Sequence, residues 1–404
     1  MSVAIVSHVL PPTWSGQSMV LARLLDGFDP DEYVLIRTMD LPIDDHAYVP
    51  PLPARTFHLP EAFISIPGGW RQHVATGRSL ARTLRYRARG IAEIVRREGC
   101  AAIVACTAGD MLDVPAGYLA ARRARVPFYP YFFDHWSQQS QLGLGRRRFA
   151  ERVEARLVRS AKTVIVPNEH LARELEESYA ARVEIVRNGC FIGPDPGPPP
   201  RVQGEAALVY TGAVYAANHD TFRNLLAAIE LANVDARVHV YTAQSKGELA
   251  AAGIEGALEV HDHLPGADVP AVQRSADVLF LPLAFDSPFP ALIRSSNPGK
   301  MGEYLASGRP ILAHAPPDSF VAEYFRKHEC GVLIDRLDAH ALADGLERIV
   351  GDDDIRRRVA CSARERALAD YDIRRAREAF GALVGLRPLP DRGAAAKTAA
   401  TPIT

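Results

Sequence analysis

The chain has 404 residues, 48% hydrophobic and 24% charged, with a formal net charge of −1, a makeup that excludes wholesale disorder and gives enough length for two or more cores. No apolar run approaches the roughly 18 residues of a membrane span, and the N-terminus shows no basic segment followed by a small-residue cleavage site. The five cysteines (Cys100, Cys106, Cys190, Cys330, Cys361) are scattered without a CxxC, which argues against a disulfide scaffold or zinc knuckle and for a reduced, cytoplasmic protein.

Along the first half, short β-branched runs fall at 3–7, 33–37, 102–106, 128–133, 163–166 and 183–186; in the second half they fall at 207–211, 237–241, 258–260, 278–281, 311–313 and 332–334. Runs that are apolar throughout are buried on both faces, as in parallel sheets covered by helices. Helical patterns lie between them, as at 221–232 and 339–350. This alternation predicts an α/β fold of doubly wound parallel sheets. It breaks once, at 192–200, where IGPDPGPPP puts five prolines in nine positions and can join neither a helix nor a central strand. The chain therefore divides into an N-terminal Rossmann-like domain (1–191), a Pro-rich linker (192–201) and a C-terminal Rossmann-like domain (202–370). A helix (371–386), expected to pack back on the N-terminal domain, and a low-complexity, disordered tail (387–404) follow. Ligands of open α/β sheets lie beyond the carboxyl ends of the strands, so the two domains are expected to face each other across a cleft.

Two loops after strands carry ligand-binding signals. In the first, SHVLPPTWSGQS (7–18) runs into a helix; Gly16 would let backbone approach a ligand, and the free amides at the helix start attract anions. The same residues also read as an ordinary cap by Ser15 or Ser18. In the second, Asn297-Pro298-Gly299 forms a turn, Lys300 follows at a helix start and Glu303 lies one turn further on. A lysine there opposes the helix dipole, which an anion would offset. Gly299, the amides near Met301 and the Lys300 ammonium would make a phosphate cradle, with Glu303 accepting from a ribose diol. The alternative is a solvated Lys300 and a Glu303 that serves the dipole.

Residues 71–162 carry 18 Lys/Arg against 7 Asp/Glu, so the remainder of the chain is acidic. On a helical wheel Leu80, Leu84, Ala88, Ile91 and Val95 share one face, and Arg78, Arg82, Arg85, Arg89 and Arg96 share the opposite one. That stripe is either a solvated face or a contact for an anionic membrane surface or acceptor. Aromatics are not interleaved with the arginines, so nucleic acid is not expected. A P-loop, a complete GxGxxG and a GxSxG elbow are absent. Asp29-Pro30-Asp31 and Asp352-Asp353-Asp354 have a D-x-D spacing but sit in polar turns and read as caps; no metal site is expected.

Several stretches resemble, in order, the GT-B-fold glycosyltransferases, specifically the family-4-like group that uses nucleotide-sugar donors. They are the 7–18 loop, Arg187-Asn188-Gly189, Tyr210-Thr211-Gly212, the run ADVLFLP at 276–282 and the run PGKMGEYLASGRP at 298–310. The resemblance implies donor binding mainly by the C-terminal domain, acceptor binding mainly by the N-terminal domain, and retention of anomeric configuration. It makes Glu303 the ribose-binding second glutamate of a two-glutamate motif and places Gly299, Lys300 and Met301 at the diphosphate. It puts Gly16 near the same phosphates and His261 and His263 in the loop flanking the nucleobase. Asp134 and His135, after the strand at 128–133, fall where a polar residue faces the donor sugar or acceptor. The chain departs from the family at Ser295, where the first glutamate would stand, and at 213–220, which lacks the usual Arg and Lys; Lys300 is the candidate substitute cation.

The reaction expected is sugar transfer, hexosyl or N-acetylhexosaminyl, from a nucleotide-diphosphate sugar to an acceptor hydroxyl, without metal or cofactor, the nucleotide sugar being a co-substrate. The catalytic candidates are Asp134, His135 and Lys300. The donor-binding candidates are Gly16, Gly212, His263, Ser295, Asn297, Gly299, Lys300, Met301 and Glu303. The acceptor could be a glycan, a lipid-linked glycan or a small metabolite, with peripheral contact to the inner membrane face through Arg78, Arg82, Arg85 and Arg89. The alternatives are a nucleotide-sugar epimerase on the same fold and a non-catalytic nucleotide-sugar-binding protein.

Overall fold

The computed structural model describes residues 2–13, 15–38, 49–59, 69–107, 111–138, 144–215 and 217–390, with side chains excluded at 69–78 and 144–146. The first part of the chain runs β1 (Ser2–Ser7), α1 (Gly16–Leu25), β2 (Tyr33–Arg37), β3 (Thr56–His58), α2 (Gly69–Arg97), β4 (Cys100–Cys106), α3 (Asp113–Ala124), β5 (Phe128–Tyr131), α4 (Leu144–Ser160), β6 (Val164–Val166), α5 (Glu169–Tyr179) and β7 (Val183–Ile185). The second runs β8 (Ala206–Thr211), α6 (His219–Leu231), β9 (Ala236–Tyr241), α7 (Lys246–Ala251), β10 (Leu258–His261), α8 (Val269–Ser275), β11 (Val278–Pro282), α9 (Pro290–Ser295), α10 (Gly299–Ala306), β12 (Ile311–His314), α11 (Phe320–His328), β13 (Val332–Ile334), α12 (Ala339–Gly351), α13 (Asp353–Arg366) and α14 (Ile373–Val384).

The strands form two parallel sheets, one of seven strands in the order β3-β2-β1-β4-β5-β6-β7 and one of six in the order β10-β9-β8-β11-β12-β13. Both faces are covered, as the apolar runs require: β1 and β11 are buried along their whole length. In the six-stranded sheet, alternate residues feed two cores. Leu279, Leu281, Ile311 and Ala313 pack with Met301, Tyr304 and Phe325; Tyr210, Val238, Phe280 and Leu312 pack with Phe222, Leu225 and Leu346. In each sheet the order reverses beside the first strand, between β1 and β4 and between β8 and β11. Loops after β1, β8 and β11 thus gather at topological switch points, where such sheets bind ligands.

Chain contacts divide the protein into two compact units: Met1–Tyr131 with Leu157–Ile165 and Arg374–Thr404, and Phe132–Arg156 with Val166–Ile373. In the first, α14 lays Phe380 against Phe28 and Tyr131, with ring centroids 5.9 and 6.4 Å apart, and Arg377 donates to the Arg23 carbonyl. From 391 on, the tail expected to be disordered lies outside the described residues. In the second unit, the Pro-rich segment is tied down by Arg356, which bonds the Pro200 carbonyl at 3.0 Å, and by Arg364, which bonds the Gly193 carbonyl.

Element ends differ from the sequence reading where backbone bonding decides them. β5 stops at Tyr131 rather than 133, and α14 starts at Ile373 because Asp372 bridges to Cys190. The short strand β3 was not foreseen; it pairs with β2 from an exposed, mixed-polarity run. Both aspartate pairs are caps: Asp29 accepts from Asp31 N, and Asp352 accepts from Asp354 N and Ile355 N. No helix among the described residues is long and apolar enough to cross a membrane.

On α2, Ala88, Ile91 and Val95 are buried, whereas Arg82, Arg85, Arg89 and Arg96 are exposed. Leu80, on the same helix face as these three, is 37% exposed, Leu84 is half-buried, and the Arg78 side chain lies outside the described residues. Arg87 turns inward instead: its Nη1 meets Asp113 Oδ1 at 2.8 Å with both side chains fully buried, and Thr38 donates to Asp113 Oδ2 at 2.8 Å. Removing one partner of a buried pair strands the other charge. Arg87→Met should therefore destabilise the first unit by about 3–5 kcal/mol in urea unfolding, whereas a loss under about 1 kcal/mol would mean that Asp113 does not depend on Arg87.

Candidate functional site

The second unit gathers most of the candidate residues around the end of β8. Gly212 follows β8 with a φ of +125°, a region that side chains avoid. Lys300 reaches this glycine from the start of α10, on the crossover between β11 and β12. A Cβ on Gly212 would stand 2.8 Å from Lys300 Nζ. The ammonium rests over the Tyr210 ring, 3.7 Å from its centroid, a cation–π seat that no spacing in the sequence announces. Among the described residues no carboxylate comes within ion-pair range of it. Burial pulls its pKa down to about 7, against the opposing effect of Glu303.

The helix start beneath Lys300 is open. Pro298 supplies no side-chain cap, and an added Cβ on Gly299 would meet empty space. Met301 N turns back to Pro298 O at 2.9 Å, while helix geometry leaves the amides of Gly299 and Lys300 without an intrahelical acceptor. Glu303 is oriented by Gln273, whose Nε2 donates to Glu303 Oε2 at 3.3 Å and to Thr211 Oγ1 at 3.2 Å. Tyr304 OH accepts from Thr211 N at 3.0 Å, fixing α10 to the end of β8.

Other candidates have structural partners. Ser295 is fully buried; its hydroxyl donates to Ala291 O at 3.1 Å and its carbonyl accepts from Asn168 Nδ2 at 2.8 Å. Asn297 Nδ2 donates to Pro167 O at 3.2 Å, Asn297 Oδ1 accepts from Tyr371, and Asn297 O accepts from Asn188 Nδ2 at 3.0 Å. The Arg187-Asn188-Gly189 stretch thus clamps the turn before Lys300. Met301 is in the core. His263 Nδ1 lies 2.9 Å from Leu264 O, in the loop after β10. In the first unit, Gly16 opens α1 with empty space where a Cβ would be, and Ser15 caps the helix, accepting from Ser18 N at 3.0 Å.

Asp134 and His135 also belong to the second unit. His135 Nε2 lies 2.6 Å from Glu174 Oε2, and its Nδ1 faces Glu154 at 3.9 Å. Although burial opposes it, bonding to these two carboxylates raises the imidazole's pKa to about 9, so it is a cation at neutral pH. Glu154 is held in turn by Ser137 N at 2.7 Å and Tyr179 OH at 2.8 Å. His135 therefore anchors its segment, and neither ring nitrogen is left to take a substrate proton. Asp134 makes no hydrogen bond or ion pair among the described residues. Burial raises its carboxyl to about 7, His135 opposing, and its charge reaches the Tyr215 hydroxyl in the loop after β8.

Residues 205–352 match the family described as Glycosyl transferases group 1, so the six-stranded sheet lies in a glycosyl transferase group 1 domain. No curated protein matches the chain in sequence. Among solved structures it is similar to a sucrose-phosphate synthase from Thermosynechococcus elongatus (TM-score 0.69, 16% identity, 95% of this chain and 98% of that one). It is also similar to Anabaena HepE in complex with UDP-glucose (TM-score 0.63, 14% identity, 95% and 99% covered). A third is the lipopolysaccharide outer core galactosyltransferase WaaB in its apo form (TM-score 0.65, 12% identity, 95% and 99% covered). With its two parallel sheets, the chain has the GT-B fold.

A carboxyl that ionises near 4 when unfolded and near 7 when folded costs stability as pH rises between those values; below about pH 4 it costs nothing. Asp134→Asn removes that cost. The melting temperature of the variant minus that of the parent should rise from about pH 4.5 to pH 8, and a difference that stays constant would show that Asp134 is not held neutral.

Proposed function

We propose that the protein is a family-4-like glycosyltransferase that moves a sugar from a nucleotide-diphosphate sugar to an acceptor hydroxyl, with retention and without a metal at the diphosphate. The observation that carries this reading is the Lys300 ammonium, seated over the Tyr210 ring with no carboxylate in ion-pair range among the described residues, at the switch point of a domain that matches glycosyl transferases group 1, beside an open helix start.

In the reaction the bond between the anomeric carbon and the diphosphate oxygen breaks, and negative charge builds on the departing nucleoside diphosphate. The acceptor oxygen bonds to the anomeric carbon, and its proton passes to the leaving diphosphate. Groups preorganised around that growing charge lower the barrier, and losing one typically costs ~10²–10³ in rate. Lys300 and the amides of Gly299 and Lys300 are placed for this, with Glu303, oriented by Gln273, for the ribose diol. Asp134, which makes no hydrogen bond or ion pair among the described residues and whose charge reaches Tyr215, is suited to a hydroxyl of the sugar or acceptor. Retention and family-4 membership rest on the sequence resemblance. UDP-glucose, the ligand of Anabaena HepE, is the first donor to try, in hexosyl and N-acetylhexosaminyl forms and beside GDP-, TDP- and ADP-sugars. The epimerase alternative gains no support from the comparisons.

Lys300→Ala should weaken UDP-glucose binding by about 1.5–3 kcal/mol in calorimetry, the range of a charge-assisted contact. Because the free ammonium titrates near 7, affinity of the parent should fall as pH rises from 6 to 8.5, with protons taken up on binding. Equal affinity in parent and variant, or a flat pH profile, would remove Lys300 from the diphosphate.

We also propose that the exposed Arg82, Arg85 and Arg89 of α2 meet an anionic membrane surface, where each basic residue contributes about 1 kcal/mol. Tyr86, 45% exposed, adds an amphipathic ring to that part of the helix. Reversing the three arginines to glutamate should abolish co-sedimentation with phosphatidylglycerol vesicles; unchanged sedimentation would reduce the stripe to a solvated face.

A further inference from the structure

Away from the Lys300 cradle, β9 and the edge strand β10 bring two imidazoles and a carboxylate together on one face. We propose that His239, Glu259 and His261 form a binding site for one zinc-like divalent cation.

The register places the three residues. His239 pairs with Glu259, and Tyr241 with His261, in a parallel ladder. Along β9, Ala236, Val238 and Val240 point into the core, so Arg237, His239 and Tyr241 share the opposite, half-buried face. Neighbours in register point the same way, which puts Glu259 and His261 on that face too. His239 Nδ1 lies 3.1 Å from His261 Nε2; Glu259 Oε2 lies 3.7 Å from the first nitrogen and Oε1 lies 3.6 Å from the second. Zinc bound tetrahedrally at about 2.0–2.2 Å sets its ligand atoms roughly 3.3–3.6 Å apart; here one ligand atom from each of the three residues lies within 4.8 Å of the others, a spacing that a small side-chain rotation closes onto an ion.

Three further features fit an ion. Tyr241 stacks on the His261 ring at 4.4 Å and 12°, fixing the direction of its nitrogens. The side chains are 24%, 53% and 27% exposed, so a hydrated cation can enter and water can complete the shell. Arg237, on the same face, makes two bonds of 2.9 and 3.0 Å to Glu205, and among the described residues no guanidinium lies within ion-pair range of Glu259. Two imidazoles and one carboxylate suit zinc among the available ions, with nickel and copper able to compete. A bound ion would clasp the edge strand β10 to β9.

The test uses the full-length protein stripped with a chelator. Zinc chloride titrated by calorimetry, with metal content measured after desalting, should give one equivalent, and cobalt(II) should give the visible absorption of a four-coordinate site. His261→Asn and Glu259→Gln should each weaken zinc binding by about a hundredfold, since even losing an outer-shell partner typically costs 10–100-fold. His263→Asn should leave it unchanged. UDP-glucose affinity should persist in Glu259→Gln, so this site and the donor reading fail separately. A parent that binds no zinc, or binds it as tightly as the double variant His239→Ala/His261→Ala, would show that the two histidines are only a hydrogen-bonded pair and would overturn the proposal.

Discussion

A buried ammonium with no carboxylate in ion-pair range is costly, and among the described residues the second unit is arranged around that cost at Lys300. The Tyr210 ring beneath it returns part of the lost hydration through its π-face. Position 212 favours glycine because its φ is one that side chains avoid, and a Cβ there would crowd the ammonium at 2.8 Å. The turn that delivers Lys300 is strapped by the Asn188 and Asn168 amides and by the Asn297 side chain, so the lysine starts from rigid backbone. A site held at this expense favours an anion that can be desolvated alongside it, and the neighbouring open helix amides ask for the same charge.

The segment with Asp134 works on the opposite principle. Its anchor is a charge network: the His135 imidazolium bonds Glu174 at 2.6 Å and faces Glu154 at 3.9 Å, Glu154 also takes Ser137 N and Tyr179 OH, and Glu174 also faces His170 at 3.6 Å. Asp134 gains a fixed position from this anchor while remaining outside it, and its burial leaves it able to change charge near neutral pH. The two neighbouring side chains, adjacent in sequence and both polar, thus divide between holding the loop and presenting a group.

The fold was legible because parallel sheets write themselves as apolar runs: 278–281 and 207–211 have no polar residue except at their ends, and nothing but burial on both faces explains that. The Lys300 turn was legible because lysine at a helix start violates the dipole rule without local compensation. What pairs with it was not. Tyr210 reads as one more core aromatic in a strand, and Gln273 as an ordinary residue of a short helix; only the β8–β11 adjacency brings them to residues 300 and 303. The His135 anchor was hidden for the same reason, since Glu154 and Glu174 lie on two separate helices in stretches that read as solvated. Arg87 could not be told from the arginines around it, because its carboxylate partner comes from α3. Charge partners supplied by another element leave no periodic trace, whereas hydrophobic faces do.

Position 295 shows how the packing bears on the reading of the site. A serine where a glutamate is expected suggests a lost function if the position faces a ligand. Here Ser295 is at the end of α9 with no exposed surface, its hydroxyl returned to Ala291 and its carbonyl taken by Asn168. A carboxylate in that place would bring an unpaired charge into the interior, at a cost of several kcal/mol unless a cation came with it. The chain has therefore filled the position as core, and with no Arg or Lys in the 213–220 loop, Lys300 is the cation that the proposed reading uses. On the proposed reading, Asp134, which makes no hydrogen bond or ion pair among the described residues and whose carboxyl burial raises to about 7, is the group offered to a sugar hydroxyl, as donor or acceptor.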